Sequence, residues 1–231
     1  MNLPLFYCPD LSSKNLSLDE ETSKHISVLR LQPGAHIALT DGKGHLAHAV
    51  ITDNNRKKVQ ADVEQLNFRE KKKATVAIAI SLVKNKARFE WFLEKATEIG
   101  VDEIYPLICK RTEKEKFRSD RLQHILISAM LQSQQVWMPR LAEPIAFEKI
   151  TKMEASQKFI AHCLPAQKHS LNEQTLSEGR RLLLIGPEGD FTPEEIELAL
   201  RENFLPVTLG ENRLRTETAG VVGAVLLTSQ R

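Results

Sequence analysis

The stretch IGPEGDFTPEEIELAL, residues 185–200, has the parts of an anion loop and the wrong charge for one. A short apolar strand runs into Gly186 and Gly189, and a helix starts a few residues later. Free backbone N–H groups at such a helix start commonly bind phosphate. Here the loop and first turns carry Glu188, Asp190, Glu194, Glu195 and Glu197, with no lysine or arginine among them. Thr192 predicts an N-cap, Pro193 the first helical position and Glu195 the return bond of a capping box. Carboxylates therefore already occupy the positive end of the helix dipole. A phosphate would meet Glu188, Asp190, Glu194 and Glu195 at short range, and that repulsion outweighs a few N–H bonds. Neither a GK[ST] triplet nor a GxGxxG pattern is present, so a nucleoside triphosphate or a dinucleotide is not the expected ligand. A neutral or cationic ligand fits better, because glycine lets backbone groups come close to an adenine or a ribose. Taken alone, the stretch also reads as a plain tight turn between a strand and a helix.

A second stretch, LGENRLRTETAGVVGAVLL at 209–227, tips the balance toward a site. Gly210 ends a strand, a charged turn follows, and a helix opens with Thr216, Glu217 and Thr218. Two glycines inside that helix, Gly220 and Gly223, cost about 1 kcal/mol each relative to alanine. With Ala219 and Ala224 they predict a close approach by another element. Arg213 and Arg215 flank Leu214 where a ligand is expected. The seven histidines include no HExxH, and Cys8, Cys109 and Cys163 are widely separated with no CxxC pair. The adjacent His162 and Cys163 read as a strand end, so no metal site is expected, and the thiols suit a reducing cytoplasm.

The elements that position these residues follow two grammars. Residues 1–70 read as short strands and tight turns around one helix, Asp19 to Arg30, with Ile26, Val28 and Leu29 late in it. A run at His36–Thr40, a turn at Asp41–Gly44 and a return strand alternating through Leu46, His48 and Val50 make a hairpin. Val59, Ala61 and Val63 alternate in a further strand, and many short strands suggest a small barrel. Residues 67–74, NFREKKKA, form the expected linker. From 74 to 231 strands and helices alternate. Buried runs fall at 75–83, 103–108, 158–164, 181–186 and 206–210. Helices place Phe89, Phe92, Leu93, Ala96 and Ile99 before a Gly100 stop, and Leu122, Ile125, Leu126, Ala129 and Met130 on one face. This predicts an α/β domain with a mostly parallel sheet, whose ligand lies beyond the carboxyl ends of the strands. That edge holds His162–Ala166, Gly186–Phe191 and Gly210–Arg215.

The bulk numbers describe an ordinary globular chain: 231 residues, 42% hydrophobic, 27% charged and a formal net charge of +2. The opening MNLPLFYCPD lacks a basic start and a continuous apolar run, so no signal peptide is expected. The apolar run Val221–Leu227 is too short to span a bilayer, and no membrane partner is expected. Three basic runs stand out against the mild net charge: Arg56–Lys58, Lys71–Lys73, and Lys110–Arg121, where six bases outnumber three acids. They are either solvated loops or a footprint for a phosphate backbone.

The two late stretches together resemble the ribosomal RNA small subunit methyltransferase E family. So do LRLQPGAHIALTDGKG, SLVKNKARFEWFLEKATEIGVDEIYPLICKRT, and LISAMLQSQQ followed by MPRL, so the likeness covers essentially the whole chain. The resemblance implies a cytoplasmic enzyme that uses S-adenosyl-L-methionine to methylate N3 of a specific uridine in 16S rRNA of the small ribosomal subunit. It implies an N-terminal PUA-like RNA-binding β-barrel over 1–70 and a SPOUT methyltransferase domain over 74–231. The latter would contain a deep trefoil knot that forms both the cofactor site and the interface of a homodimer. Carried over by position, the cofactor site comprises Leu164 and Pro165; Leu184, Ile185, Gly186, Glu188 and Gly189; and Leu209, Gly210, Arg213, Leu214 and Thr218. Arg215 is the catalytic candidate for stabilising negative charge on the uracil carbonyls. Glu217 either orients that arginine or acts as the base; a shared ion pair at the dimer interface is the other reading of the two. RNA-contact candidates are Arg30, Arg56, Lys57, Lys58, Lys84, Arg88, Lys110, Arg111 and Arg118. Three positions depart from the family pattern. Asp190 stands where a second glycine is usual, Arg213 where isoleucine is commonest, and SQQVWMP lacks an arginine often found after that glutamine. The alternatives are a non-catalytic RNA-binding or ribosome-assembly factor of the same fold, and a SPOUT enzyme acting on another RNA site.

Overall fold

The computed structural model describes residues 3–113, 117–165 and 167–229. Lys114 and Lys116 of the third basic run, and Ala166 of the first candidate loop, lie outside the described residues. The chain divides into two compact units, Met1–Lys71 with Met130–Met138, and Lys72–Ala129 with Pro139–Arg231.

The first unit contains β1 (Leu5–Tyr7), β2 (Asn15–Ser17), α1 (Glu20–Val28), β3 (His36–Thr40), β4 (His45–Asp53) and β5 (Gln60–Phe68). Its five strands lie in the order β1-β3-β4-β5-β2. Asp19 caps α1 by accepting from the Thr22 amide at 2.7 Å. Ile26 is buried as the pattern asks, but Val28 is 77% exposed and Leu29 is exposed as well, because a nine-residue helix turns only one narrow face inward. At the hairpin turn the Asp41 carboxylate accepts from the amides of Lys43 and His45. The phase of β4 differs from the reading of its sequence. Ala47, Ala49 and Ile51 face the core, and Leu46, His48 and Val50 are half-buried on the other side. The interior behind Phe6, Leu39 and Ile26 takes the small side chains, and periodicity alone assigns the larger ones there.

The second unit is a parallel sheet flanked by helices. In chain order come β6 (Ala74–Ser81), α2 (Lys86–Ile99), β7 (Glu103–Ile108), α3 (Ser119–Gln132, whose residues from Met130 belong to the first unit), β8 (Arg140–Leu141), β9 (Ile145–Ala146) and α4 (Phe147–Ile150). There follow β10 (Gln157–Ala161), β11 (His169–Ser170), β12 (Gly179–Ile185), α5 (Pro193–Arg201), β13 (Leu205–Thr208) and α6 (Thr216–Thr228). The order is β11-β13-β10-β12-β6-β7-β8, with β9 also on β7, and every pairing is parallel. Strands β6 and β12 at its centre are buried almost throughout, as their unbroken apolar runs require. Asn85 caps α2, and Gly100 ends it in the left-handed conformation at φ 90°.

Strand ends differ from the sequence reading where the differences matter. The first buried run stops at Ser81, which leaves Leu82 and Val83 in a loop, and β10 stops at Ala161, which frees His162, Cys163 and Leu164. Strand β5 extends to Phe68 and β6 begins at Ala74, so the expected linker shrinks to 69–73. The glycines of α6 have the packing reason their cost demands. A Cβ on Gly220 would lie 2.6 Å from a Phe92 ring carbon and 2.7 Å from Ile80 Cδ1, and one on Gly223 would lie 2.3 Å from Leu183 Cδ2. At these glycines the backbone of α6 thus packs directly against side chains of α2, β6 and β12. Among the described residues no helix is long and apolar enough to cross a membrane.

Candidate functional site

Strands β13, β10 and β12 are neighbours, and the loops at their carboxyl ends surround one cavity of about 320 Å³. The loop after β10 contributes Ala161, His162 and Cys163. The loop after β12 contributes Ile185, Gly186, Pro187, Glu188 and Asp190. The β13 end and the turn into α6 contribute Val207–Gly210 and Asn212–Thr216, and Ala219 of α6 closes the wall. This is the carboxyl edge of a parallel sheet, where backbone groups leave the ladder and are free to meet a ligand. Gly210 holds a φ of 145°, a conformation closed to residues with a Cβ, and so turns the chain at the cavity rim.

Specific bonds tie the three loops together. Asp190 adopts φ 63°, the left-handed region, where a glycine would sit without strain. Its Oδ2 accepts from the Cys163 amide at 2.8 Å, and its Oδ1 accepts from the Phe191 amide at 2.9 Å. This carboxylate therefore latches the β10 loop to the β12 loop. Thr216 Oγ1 donates to the Gly186 carbonyl at 3.0 Å, which latches the β12 loop to the start of α6. Lys168 Nζ donates to the carbonyls of His162 and Leu164 and gathers the first loop on itself. The capping box at the head of α5 is complete: the Glu195 amide donates to Thr192 Oγ1, and the Thr192 amide to Glu195 Oε2.

The other oxygen of Glu195 accepts from the Lys110 amide at 2.8 Å, and Arg111 donates to the Gly189 carbonyl at 2.6 Å. Lys110 Nζ stands 3.9 Å from Glu194. Residues 185–200 carry no base of their own, yet the segment after β7 brings two beside them. A contact 78 residues away in sequence leaves no local trace, and the guanidinium is engaged by a carbonyl.

The candidate cofactor residues divide in space. Ile185, Gly186, Glu188, Leu209, Gly210, Arg213 and Leu214 line the cavity, as does Arg215. Leu184 is fully buried in the core of β12, and Leu164 is half-buried against that core. Pro165 and Gly189 are exposed, and the Gly189 carbonyl is taken by Arg111. Thr218 faces a neighbouring depression of about 330 Å³, lined also by Ala87, Arg88, Trp91, Arg215 and Glu217. Arg215 stands at both openings. Glu217 is buried, its Oε1 is 3.6 Å from Arg88 Nε, and its Oε2 has no hydrogen-bond partner among the described residues. Arg88, rather than Arg215, forms the ion pair with it.

His162, read from sequence as a strand end, is a buried member of the cavity wall, and neither ring nitrogen has a partner among the described residues. Burial pushes its imidazole below the ordinary histidine range; the Lys168 ammonium adds to that, and the Asp190 carboxylate opposes it. Sequence reasoning singled out neither Thr216 as a latch nor the bond from Asp190 to Cys163. The second spans 27 residues, and only the left-handed backbone at Asp190 hints at it.

Comparison with known proteins gives the family of this site. A profile described as RNA methyltransferase domain matches residues 69–228, and one described as RNA methyltransferase PUA domain matches residues 18–64. A protein of Synechocystis sp. named ribosomal RNA small subunit methyltransferase E is 31% identical over 202 residues, 84% of this chain and 66%, just under two thirds, of that protein. The chain belongs to the ribosomal RNA small subunit methyltransferase E family. Solved structures agree along the whole length. A probable rRNA-methyltransferase from Porphyromonas gingivalis is 37% identical with a TM-score of 0.90, covering 99% of this chain and 100% of that one. A ribosomal RNA small subunit methyltransferase E from Neisseria gonorrhoeae, crystallised bound to S-adenosyl methionine, is 28% identical with a TM-score of 0.89, covering 99% and 98%.

Within this family member, the RNA-contact candidates have varied surroundings. In the first unit Arg56, Lys57 and Lys58 are exposed together between β4 and β5, and Arg30 is exposed just past α1 at φ 55°. In the second unit Lys84 stands 3.6 Å from Glu113, and Arg88, Lys110 and Arg111 are engaged as described above. Arg118 is exposed at the rim of another pocket, near the start of α3.

Proposed function

We propose that this protein methylates N3 of a specific uridine in the 16S rRNA of the small ribosomal subunit, with S-adenosyl-L-methionine as methyl donor. The observation that carries the reading is the three-loop cavity. Its volume of about 320 Å³ lies at the lower end of the range of roughly 300–1,000 Å³ for small-molecule sites. Ile185, Val207, Leu209 and Leu214 supply apolar cover for a planar base. The backbone at Gly210 is open to close approach, with nothing within 4 Å of where a Cβ would stand. Glu188 and Asp190 offset Arg213 and Arg215 around the cavity, so the lining carries no excess of positive charge to favour a phosphate. The residues present therefore fit a sulfonium-bearing nucleoside, with Gly186, Leu209, Gly210 and Leu214 holding it and Asp190 and Thr216 fixing their loops.

S-adenosyl-L-methionine, when bound, supplies an electrophilic methyl group. The protein's task is to present uracil N3 to it and to favour loss of the N3 proton. Most of the acceleration comes from positioning, because a held pair of reactants avoids the entropy of encounter. Arg215, at the mouth of the cavity, stabilises the negative charge that develops on the uracil carbonyls. Glu217, which borders the adjoining depression with one oxygen 3.6 Å from Arg88, either orients the cationic groups there or accepts the N3 proton. The basic surfaces at 56–58 and at the loops after β6 and β7 meet phosphates.

The same reading includes a homodimer, a cytoplasmic location, a SPOUT-type knot threading the β12–α6 segment, and a PUA-like barrel formed by the first unit. The test is methyl transfer from tritiated S-adenosyl-L-methionine to unmodified 16S rRNA and to small subunits, with the product nucleoside identified by mass spectrometry. 3-Methyluridine is expected; a different methylated nucleoside, or none from a protein that binds S-adenosyl-L-methionine, would overturn it.

A further inference from the structure

A second pocket of about 380 Å³ lies one strand further along the same sheet edge. Its floor is Leu82 and Val83, the residues that follow β6, together with Phe89 of α2 and Leu122 of α3. Strand β6 is the direct neighbour of β12, with Ile80 opposite Ile185, so the two pockets open from adjacent strand ends. The floor is apolar and buried, and the half-buried Phe117 completes it. The rim is basic: Lys86, Arg118 and Arg121 surround one acid, Glu90. That acid binds Arg121 through both oxygens, at 2.6 and 2.9 Å, and the Arg121 bonds hold its carboxyl below the usual range. A paired, ionised Glu90 fixes the guanidinium at the rim and leaves the net charge there positive.

The depression lined by Arg88, Trp91 and Arg215 borders both pockets. It shares Ala87 with the second pocket and Arg215 with the three-loop cavity. Trp91 is 41% exposed beside it, a large ring without full cover.

We propose that the pocket floored by Leu82, Val83, Phe89 and Leu122 receives an unstacked nucleobase of the RNA substrate near the target uridine, while Arg118 and Arg121 hold its phosphate. The inference rests on the rRNA methyltransferase reading above. A nucleobase matches the chemistry on each side: an apolar face for Phe117 and Leu122, polar edges for the rim, and a negative backbone for the arginines. Single-stranded RNA is recognised in this way, with bases splayed onto aromatic and apolar surfaces and phosphates on cations. Chemistry on one base also requires that base to leave its stack, which frees its neighbours for such a pocket.

The test uses full-length protein, an unmodified 16S rRNA transcript, and a salt titration of binding for Phe117→Ala and Arg118→Ala. Phe117→Ala removes a stacking surface, and its Kd is expected to rise about tenfold with the salt slope unchanged. Arg118→Ala removes a phosphate contact, and it is expected to raise Kd several-fold and reduce the slope by about one. Affinity for S-adenosyl-L-methionine, measured by calorimetry, should stay within twofold in both, which also shows that the fold is intact. A transcript containing 4-thiouridine should photo-crosslink to the peptide carrying Phe117 to Leu122. Wild-type RNA affinity in both variants, with crosslinks only elsewhere, would overturn the pocket alone. A change in sedimentation for Phe117→Ala without a change in RNA affinity would also overturn it, and would assign the pocket to a protein contact. A wild-type protein that does not bind the transcript would refute the rRNA reading itself.

Discussion

Replacing Asp190 separates two roles that its position combines. The residue holds a left-handed backbone, which costs a non-glycine residue about 1 kcal/mol. Its carboxylate accepts the amides of Cys163 and Phe191 at 2.8 and 2.9 Å. Bonds from neutral donors to a charged acceptor contribute about 1.5 kcal/mol each at the low end, which suits a half-exposed loop, so the pair is worth about 3 kcal/mol. Asp190→Ala loses both bonds and keeps the backbone strain, so a loss of about 3 kcal/mol is expected. Asp190→Gly loses both bonds but relieves the strain, for a net loss of about 2 kcal/mol. Asp190→Asn keeps one acceptor and tolerates the left-handed backbone, so it should fall between Gly and wild type. Urea unfolding measures this order. Binding of S-adenosyl-L-methionine by calorimetry measures the latch separately: Gly and Ala should weaken it alike, about tenfold, because both release the Cys163 loop from the cavity wall. An Asp190→Gly protein as stable as wild type, with unchanged affinity, would show that the carboxylate holds nothing in place.

Acid should reveal a second ionic device. Burial pushes the Glu103 carboxyl up, but hydrogen bonds from Tyr105, Arg180 and Arg140 outweigh it and bring it from 4.5 to about 2. Its contribution, on the order of 2 kcal/mol after solvent screening of this half-buried cluster, is fully present above about pH 4.5 and is lost as the pH falls through about 2. Glu103→Gln should remove it, and stability curves of variant and wild type should converge toward pH 2; a constant difference across that range would contradict the assignment. Gly220→Ala gains helix propensity but drives a Cβ into Phe92 and Ile80, and a net loss of about 2 kcal/mol in urea unfolding is expected. A more stable variant would show that α6 does not need its close approach. Arg215→Ala should reduce methyl transfer to 16S rRNA at least about a hundredfold while S-adenosyl-L-methionine affinity stays within a few-fold. Full activity would remove Arg215 from the reaction.

Local grammar made part of this molecule legible. Thr192, Pro193 and Glu195 specify the head of α5 by their own side chains, and Gly100 ends α2 by its backbone. The small residues of α6 announced a close neighbour, though not that Phe92, Ile80 and Leu183 would be the ones. The edge rule for parallel sheets placed three loops around one cavity before any contact was known. What stayed hidden depends on distance or on brevity. Strands β8, β9 and β11 are two residues each, too short to carry a period. The inward face of β4 is set by small alanines, which a hydrophobic count passes over. Asp190 looked like an extra charge beside a cationic ligand; its bond to Cys163 makes it part of the wall, and no pattern links residues 27 apart. Likewise Leu82 and Val83 read as strand, and only their release at Ser81 makes them the floor of a second pocket.

The central claim is a methyl group placed on N3 of a uridine in small-subunit rRNA. Mass spectrometry of 16S rRNA nucleosides from the source cell, with and without this gene, tests it most directly. Loss of 3-methyluridine on deletion, and its return with the wild-type protein but not with Arg215→Ala, is the predicted result. Unchanged 3-methyluridine in the deletion strain would contradict the account.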